Sequence, residues 1–413
     1  MFVMAYSLIN IYGWNFWLLA GFGVVFRLVL MPSIPNLSQD FYRFIWDGRL
    51  LWDGVNPYLT TPLQLQEGVS FTGNYPYGTE LIEGMGGLNA SHYSNYPPVN
   101  QFFFFLAEMF PGTSIFSSVL GLRLIVIAAD LGVLYFGKKL LQLLKLPVKN
   151  IFWYFLNPFI VLELTGNLHF EGVMLFFMVW SFYLLFKGRW FWAAVLLGVS
   201  VSVKLLPLLF LPLFFKYFVK KDALGTGFAG LLKFYIVVLG TVVLSFAPFL
   251  SSEFITNFFA TIALWFQDFE FNASVYYIIR YIGFQTIGWN IIADVGKILP
   301  LVVVLFVLLL TFFRKNNTPQ QLITGLLFAV SFYFLLSTTV HPWYVATPLL
   351  LSVFTRYRFA IAWSLLVMVS YSAYGPDGFS ENLWWVAIEY LAVIAFAIWE
   401  LCFRSKKELL PTS

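Results

Sequence analysis

An all-α, polytopic bundle of membrane-crossing helices is the fold this chain predicts, on three observations. Of its 413 residues 60% are hydrophobic and only 11% charged, and the mean hydropathy is +0.81. A water-facing surface needs far more charge, so soluble folds are excluded. Apolar runs recur along the whole length, and the cations between them fall in alternate loops. Aromatic residues reach 21%, as expected where rings line both membrane interfaces.

A helix needs about 20 apolar residues to cross a bilayer. Candidate spans lie at roughly 9–31, 115–137, 150–166, 172–187, 190–203, 205–219, 228–249, 286–313, 321–339, 343–355, 359–374 and 383–403. That gives about twelve, several of them too short to cross alone. The first is too long for a cleaved signal and carries Arg27 deep inside it, so it is expected to stay. The cations then orient the bundle: Lys138, Lys139, Lys145 and Lys149; Lys187 and Arg189; Lys216, Lys220 and Lys221; Arg314 and Lys315; Arg356 and Arg358; and Arg404, Lys406 and Lys407. The positive-inside rule puts these segments, and both termini, in the cytoplasm. Acids gather in the opposite loops, which is consistent either with solvated loops or with a working face outside. The single cysteine, Cys402, excludes a disulfide framework and a cysteine metal site. A single domain over 1–413 is expected, with no soluble module.

Residues 32–98 form the only long polar stretch, and long loops in compact proteins tend to be functional. Within it, Ser38–Tyr58 reads as a short amphipathic helix. Asp40, Arg43 and Asp47 share one side, and Phe41, Phe44, Ile45, Gly48 and Trp52 another. Ser38 is a plausible N-cap, Asp40 falls in the first turn where the helix dipole favours an anion, and Gly54 with Asn56-Pro57 ends the helix. Such a helix lies flat at a bilayer surface. It is either an ordinary anchor or the carrier of a general base, Asp40. Val99–Phe110 is too short to cross and reads as a second interfacial helix.

Polar groups at membrane depth are costly and are functional candidates by default. Asn167, His169 and Glu171 lie between two spans at the predicted outer face. Lys204 sits between two half-length apolar runs broken by Pro207 and Pro212. It either snorkels to the interface or clamps a phosphate, and it needs an anionic partner. His341-Pro342-Trp343-Tyr344 follows another outward span, as an aromatic belt or as a site wall. Asp268 and Glu270 suit a solvated loop better than a divalent cation. Arg27, Arg123, Asp130 and Asp294 are intramembrane charges. Arg123 and Asp130, two turns apart on one helix, are expected to serve buried pairing, although a multi-span transporter or lipid flippase would use such charges too. Asn89 and Asn272 head glycosylation-type triplets. There is no phosphate loop and no dinucleotide fingerprint, so a lipid-linked sugar donor suits outward chemistry better than a nucleotide sugar.

In order along the chain come Asp40 with its aromatic helix and Asn56-Pro57-Tyr58, then Tyr96-Pro97-Pro98, Asn167–Glu171, Lys204–Pro207 and His341–Tyr344. This order, from about residue 35 to 350, resembles the GT-C superfamily of integral-membrane glycosyltransferases. Within that superfamily it is similar to polyprenyl-phosphate-mannose-dependent mannosyltransferases, and more distantly to the enzyme adding the first mannose of GPI anchors. The resemblance implies inverting transfer of a hexose, mannose above all, from a polyprenyl-phosphate sugar to a hydroxyl of a glycan or glycolipid acceptor. It implies Asp40 as base, with Arg43, Asn167, His169, Glu171, Lys204, His341 and Tyr344 binding substrate. The expected setting is a bacterial cytoplasmic membrane with the site facing outside, lipid as a partner, and no nucleic acid. Eukaryotic relatives often carry two acids in the first loop. Here Ser38-Gln39-Asp40 supplies one, and no metal or other cofactor is predicted.

Overall fold

The computed structural model describes residues 2–67, 78–219, 227–267, 269–375 and 378–403. Asp268, Lys220, Lys221, Arg404, Lys406 and Lys407, read above as loop charges, lie outside them. The described chain is mainly helical, with one two-residue strand pair, Tyr374–Gly375 with Gly378–Phe379, and a parallel bridge between Phe271 and Thr339.

The expected first span is split. Gly13-Trp14 separates α1 (Phe2–Tyr12) from α2 (Phe16–Val29), and Asn15 caps α2 by accepting the Leu18 N–H at 3.1 Å. The polar segment then forms α3 (Asp40–Trp52), α4 (Pro62–Glu67), α5 (Gly78–Ala90) and α6 (Pro98–Glu108). The long α7 (Ile115–Leu143) follows a Ser114 cap. Next come α8 (Phe152–Phe155), α9 (Pro158–Ile160), a π-helical turn over Val161–Gly166, and α10 (Glu171–Phe186). α11 (Trp190–Val203) stops at Lys204, and prolines 207 and 212 set a 3₁₀ stretch before α12 (Phe214–Val219). The rest is α13 (Gly227–Phe246), α14 (Ser252–Gln267), α15 (Val275–Thr286), α16 (Ile292–Phe312), α17 (Pro319–Leu336), α18 (Ala346–Val353), α19 (Phe359–Leu366) and α20 (Leu383–Cys402).

Among the described residues five helices have the length and hydropathy to cross a membrane alone: α7, α13 with its extension to Phe249, α16, α17 and α20. The pair Pro158–Gly166 and Glu171–Phe186 has the apolar length of one more crossing but is folded by 114°, the geometry of a broken span or a re-entrant loop. The remaining apolar runs of the twelve form shorter helices. A hydropathy count cannot tell a helix that crosses lipid from one buried among its neighbours.

The Lys138 ammonium lies 4.0 Å over the Phe16 ring, Lys216 donates to the Arg314 carbonyl at 2.8 Å, and Gln320 to the Leu144 carbonyl at 3.1 Å. Lys138, Lys216 and Arg314 thus collect near the C-terminal end of α7. Residues 269–272 run beside 338–340, with Phe271 N–H donating to the Thr338 carbonyl at 3.1 Å.

The buried charges serve structure. Arg27 pairs with Asp130 at 2.9 Å, both fully buried, and Tyr154 donates to the second Asp130 oxygen at 3.1 Å. Arg123 is therefore not the partner of Asp130. It donates to the carbonyls of Met31, Ser33, Thr165 and Gly166 at 2.7–3.2 Å. Helix spacing alone had left Asp130 with only its own-helix neighbour, whereas the fold brings α2 across it.

The amphipathic helix is also more enclosed than an anchor. α3 buries Phe41, Phe44, Ile45 and Trp46 and also Arg43, Asp47 and Arg49. A Cβ on Gly48 would stand 2.6 Å from the Phe104 carbonyl oxygen, and one on Gly121 2.4 Å from that of Ala107. The backbone of α6 is thus pressed between α3 and α7 at two glycines. A Schellman turn ends α3, with Gly54 at φ +74° and the Val55 N–H bonded to the Leu50 carbonyl at 2.8 Å.

Candidate active site

Asp40 opens α3. Gln39 holds the cap position, and the Ser38 hydroxyl accepts the Asp40 N–H at 3.3 Å, so Ser38 acts on the first helical residue without being the cap. α3 is fixed from behind. Arg43 bonds Asp47 at 2.7 Å and the carbonyls of Asn89 and His92 at 3.0 and 2.9 Å. Asp47 also accepts from Ser94 at 2.6 Å and Gln101 at 2.8 Å. Phe44 stacks on Phe104 at 4.5 Å and meets Phe170 edge-on. Asp40 is thereby held at a fixed end, with its side chain 30% exposed.

That exposed side looks into a cavity of about 300 Å³, the lower end of the range for small-ligand sites. Its polar wall carries Asp40, Glu171, Lys204, Asn89 and Asn95. Its apolar wall carries Met174, Leu205, Leu206, Ile262 and Phe334. Lys204 sits in extended backbone where α11 ends. Its ammonium donates to Glu171, the first residue of α10, and lies 5.9 Å over the Tyr344 ring. The anionic partner expected for this lysine is therefore Glu171. Burial pushes the Asp40 carboxyl up to about 6. The Lys204 charge opposes that rise and the Glu171 charge adds to it.

Behind Asp40 lies the turn between the two arms of the bent pair. Its backbone is strained, with Leu168 at φ +66°, and the Arg123 clamp on Thr165 and Gly166 braces it. His169 is 1% exposed and does not line the cavity. Its Nδ1 is 4.0 Å from Asp40 Oδ2 and its Nε2 3.9 Å from Glu163 Oε2. The ring stacks on Trp343 at 3.6 Å, and Trp343 stacks on His341 at 4.5 Å. Burial first and Lys204 second hold both imidazoles neutral: His169 falls well below the usual histidine range and His341 to about 3.

Five of the predicted site residues, Asp40, Glu171, Lys204, His341 and Tyr344, thus meet at one cavity. Asn167 is buried in the turn beside His169 and does not line it. Arg43 does not reach it either, being spent on Asp47 and two carbonyls. Glu270 is not free in solvent, and the Glu381 carboxyl lies close enough to feel its charge. Glu270 pairs with Arg280 and accepts from Tyr276 at 2.7 Å. Asn272 is fully buried and bonded to Glu381 and Glu389, so its triplet is closed to modification. Sequence reading missed Glu163, Asn95, Tyr96 as cavity wall, and Ser337. Glu163 had a signal, since an acid inside an apolar run is a candidate in its own right.

Residues 19–220 match the model of a family described as alpha-(1->6)-mannopyranosyltransferase, N-terminal domain. Over 398 residues, the chain is 22% identical to alpha-(1->6)-mannopyranosyltransferase A of Mycobacterium tuberculosis, covering 92% of this chain and 74% of that relative. Together with the motif order and the enclosed acid on a helical scaffold with several membrane-crossing helices, these matches support a membrane mannosyltransferase, similar over its N-terminal half to the alpha-(1->6)-mannopyranosyltransferase family.

Proposed function

We propose that this enzyme moves mannose from a polyprenyl-phosphate sugar to a hydroxyl of a glycan or glycolipid, with inversion, on the non-cytoplasmic face. The observation that carries this reading is the cavity itself, lined both by Asp40 with the Lys204–Glu171 pair and by apolar side chains. The apolar wall suits the start of a lipid tail, and the polar wall suits a sugar phosphate.

Asp40, ionised, takes the proton of the acceptor hydroxyl as its oxygen attacks the anomeric carbon. The bond from that carbon to the phosphate oxygen breaks, and polyprenyl phosphate leaves with the electron pair. General-base assistance of this kind contributes about 10²–10⁴-fold. Lys204 has three N–H donors, one engaged by Glu171, which leaves two for the charge growing on the phosphate. Inversion of a β-linked donor gives an α-glycoside, the configuration in the name of the mycobacterial relative. One acid and one ammonium account for both charges, so no metal enters the proposal.

A transporter or flippase is the weaker reading. Arg27, Asp130 and Arg123 are locked to each other's helices and to carbonyls, away from the cavity. The test is a panel of lipid-phosphate sugars with purified enzyme and mass spectrometry of the products. A glycosylated acceptor with free polyprenyl phosphate supports the proposal. Passage of intact sugar lipid between leaflets, with no sugar released, overturns it.

A further inference from the structure

With Asp40 taken as the base, its reverse side is what the proposed function leaves unused. When donor and acceptor fill the cavity, the open face of the carboxylate is covered. Its Oδ2 still faces His169, which is 1% exposed and has neither ring nitrogen hydrogen-bonded. Buried polar atoms without partners are uncommon and call for an explanation. The ring is not loosely held, because Trp343 stacks flat against it with an interplanar angle of 17°. Its two nitrogens point at two different carboxylates, 4.0 Å to Asp40 and 3.9 Å to Glu163. Each gap is about 1 Å longer than a hydrogen bond, and catalytic contacts of unliganded sites commonly tighten when substrate binds.

We propose that His169 is a proton relay, carrying the proton that Asp40 removes from the acceptor through its ring to Glu163. The step balances with a neutral imidazole protonated on Nε2. Asp40 gives its new proton to Nδ1, Nε2 gives its own to an ionised Glu163, and Asp40 is again a carboxylate while the ring stays neutral in the other tautomer. Tyr371 donates its hydroxyl to Glu163 Oε2 at 2.8 Å, which fixes the accepting carboxylate. The charged and titratable groups around His169 are Asp40 from α3, Glu163 from the π-turn, and Lys204 and His341 from across the cavity. The neutral state imposed on this ring by burial and Lys204 is the state a tautomeric relay uses.

The test compares His169→Phe, His169→Ala and Glu163→Gln in the purified enzyme with polyprenyl-phosphate mannose, with Asp40→Asn alongside. His169→Phe keeps a ring on Trp343 and cannot carry a proton. Both His169→Phe and Glu163→Gln are expected to lose about 10²-fold in kcat, the low end for positioned proton transfer, with donor KM unchanged. Imidazole added to His169→Ala should restore part of the loss. If His169→Phe turns over at the unaltered rate while Asp40→Asn is inactive, the relay is wrong and the base assignment stands. If Asp40→Asn itself turns over normally, the proposed function has lost its base and the relay goes with it.

Discussion

Lys204 lines the cavity that Asp40 enters and donates to one oxygen of Glu171, whose other oxygen is buried without a partner. The pair is unequally covered, with the lysine side chain 22% exposed and the glutamate 2%. Removing the lysine strands a buried carboxylate, so Lys204→Met is expected to cost about 1–3 kcal/mol of stability. Glu171→Gln in the same chain should recover most of that, because the two side chains form one interacting pair. Transfer should not recover, since the ammonium facing the phosphate is still missing. Thermal unfolding and donor turnover of the single and double variants check this. A double variant that regains both would make the pair purely structural.

The pH dependence of turnover follows from the raised carboxyl of Asp40. A base must be ionised, and this one holds its proton up to about pH 6. kcat/KM should therefore fall about tenfold per unit below pH 6 and level off above it. Stability runs the other way. A carboxyl whose folded pKa exceeds its unfolded value makes the folded state bind more protons, so stability is lost as pH rises from about 4 to 6. Asp40→Asn should be more stable than the parent at pH 7.5, by no more than about 1–2 kcal/mol because the group is part-exposed, and equal to it near pH 4. Melting curves at both pH values decide it.

Trp343 joins the two imidazoles and is 7% exposed. Trp343→Ala is expected to cost about 3–5 kcal/mol and to slow transfer strongly, as His169 and His341 lose the plane between them. Trp343→Phe should keep a measurable fraction of both. Equal activity of the alanine variant and the parent would contradict this role.

Arg43 tests the boundary of the site. Its guanidinium holds Asp47 and two carbonyls, so Arg43→Met should lose about 3–5 kcal/mol of stability. In the protein that remains folded, the donor KM should be near the parent value. A large rise in KM with an unchanged melting point would return Arg43 to the substrate.

Much of the site was legible because its chemistry stood out against lipid. An Asp at a helix start, a Lys between half-helices, and a His-Pro-Trp-Tyr turn are all conspicuous in a chain with 11% charge, and they meet. Arg43 was misread because a side shared with Asp40 and Asp47 cannot say whether the three face a cavity or each other, and Asp47 lies one helical turn on. His169 was seen as a wall residue. Its place behind Asp40 depends on the 114° fold of the bent pair, which no periodicity encodes. Glu163 was hidden within a run counted as a span. The number of crossings was not legible either, because Gly13 splits one run and Pro207 with Pro212 another. Apolar content alone does not reveal which helices are covered by protein.

The most direct measurement is release of polyprenyl phosphate from labelled polyprenyl-phosphate mannose by purified parent and Asp40→Asn proteins, with folding and donor binding checked in both. The account predicts acceptor-dependent release by the parent and a loss of about 10²-fold or more in the variant, with donor binding retained. Parent-like release by Asp40→Asn would contradict it.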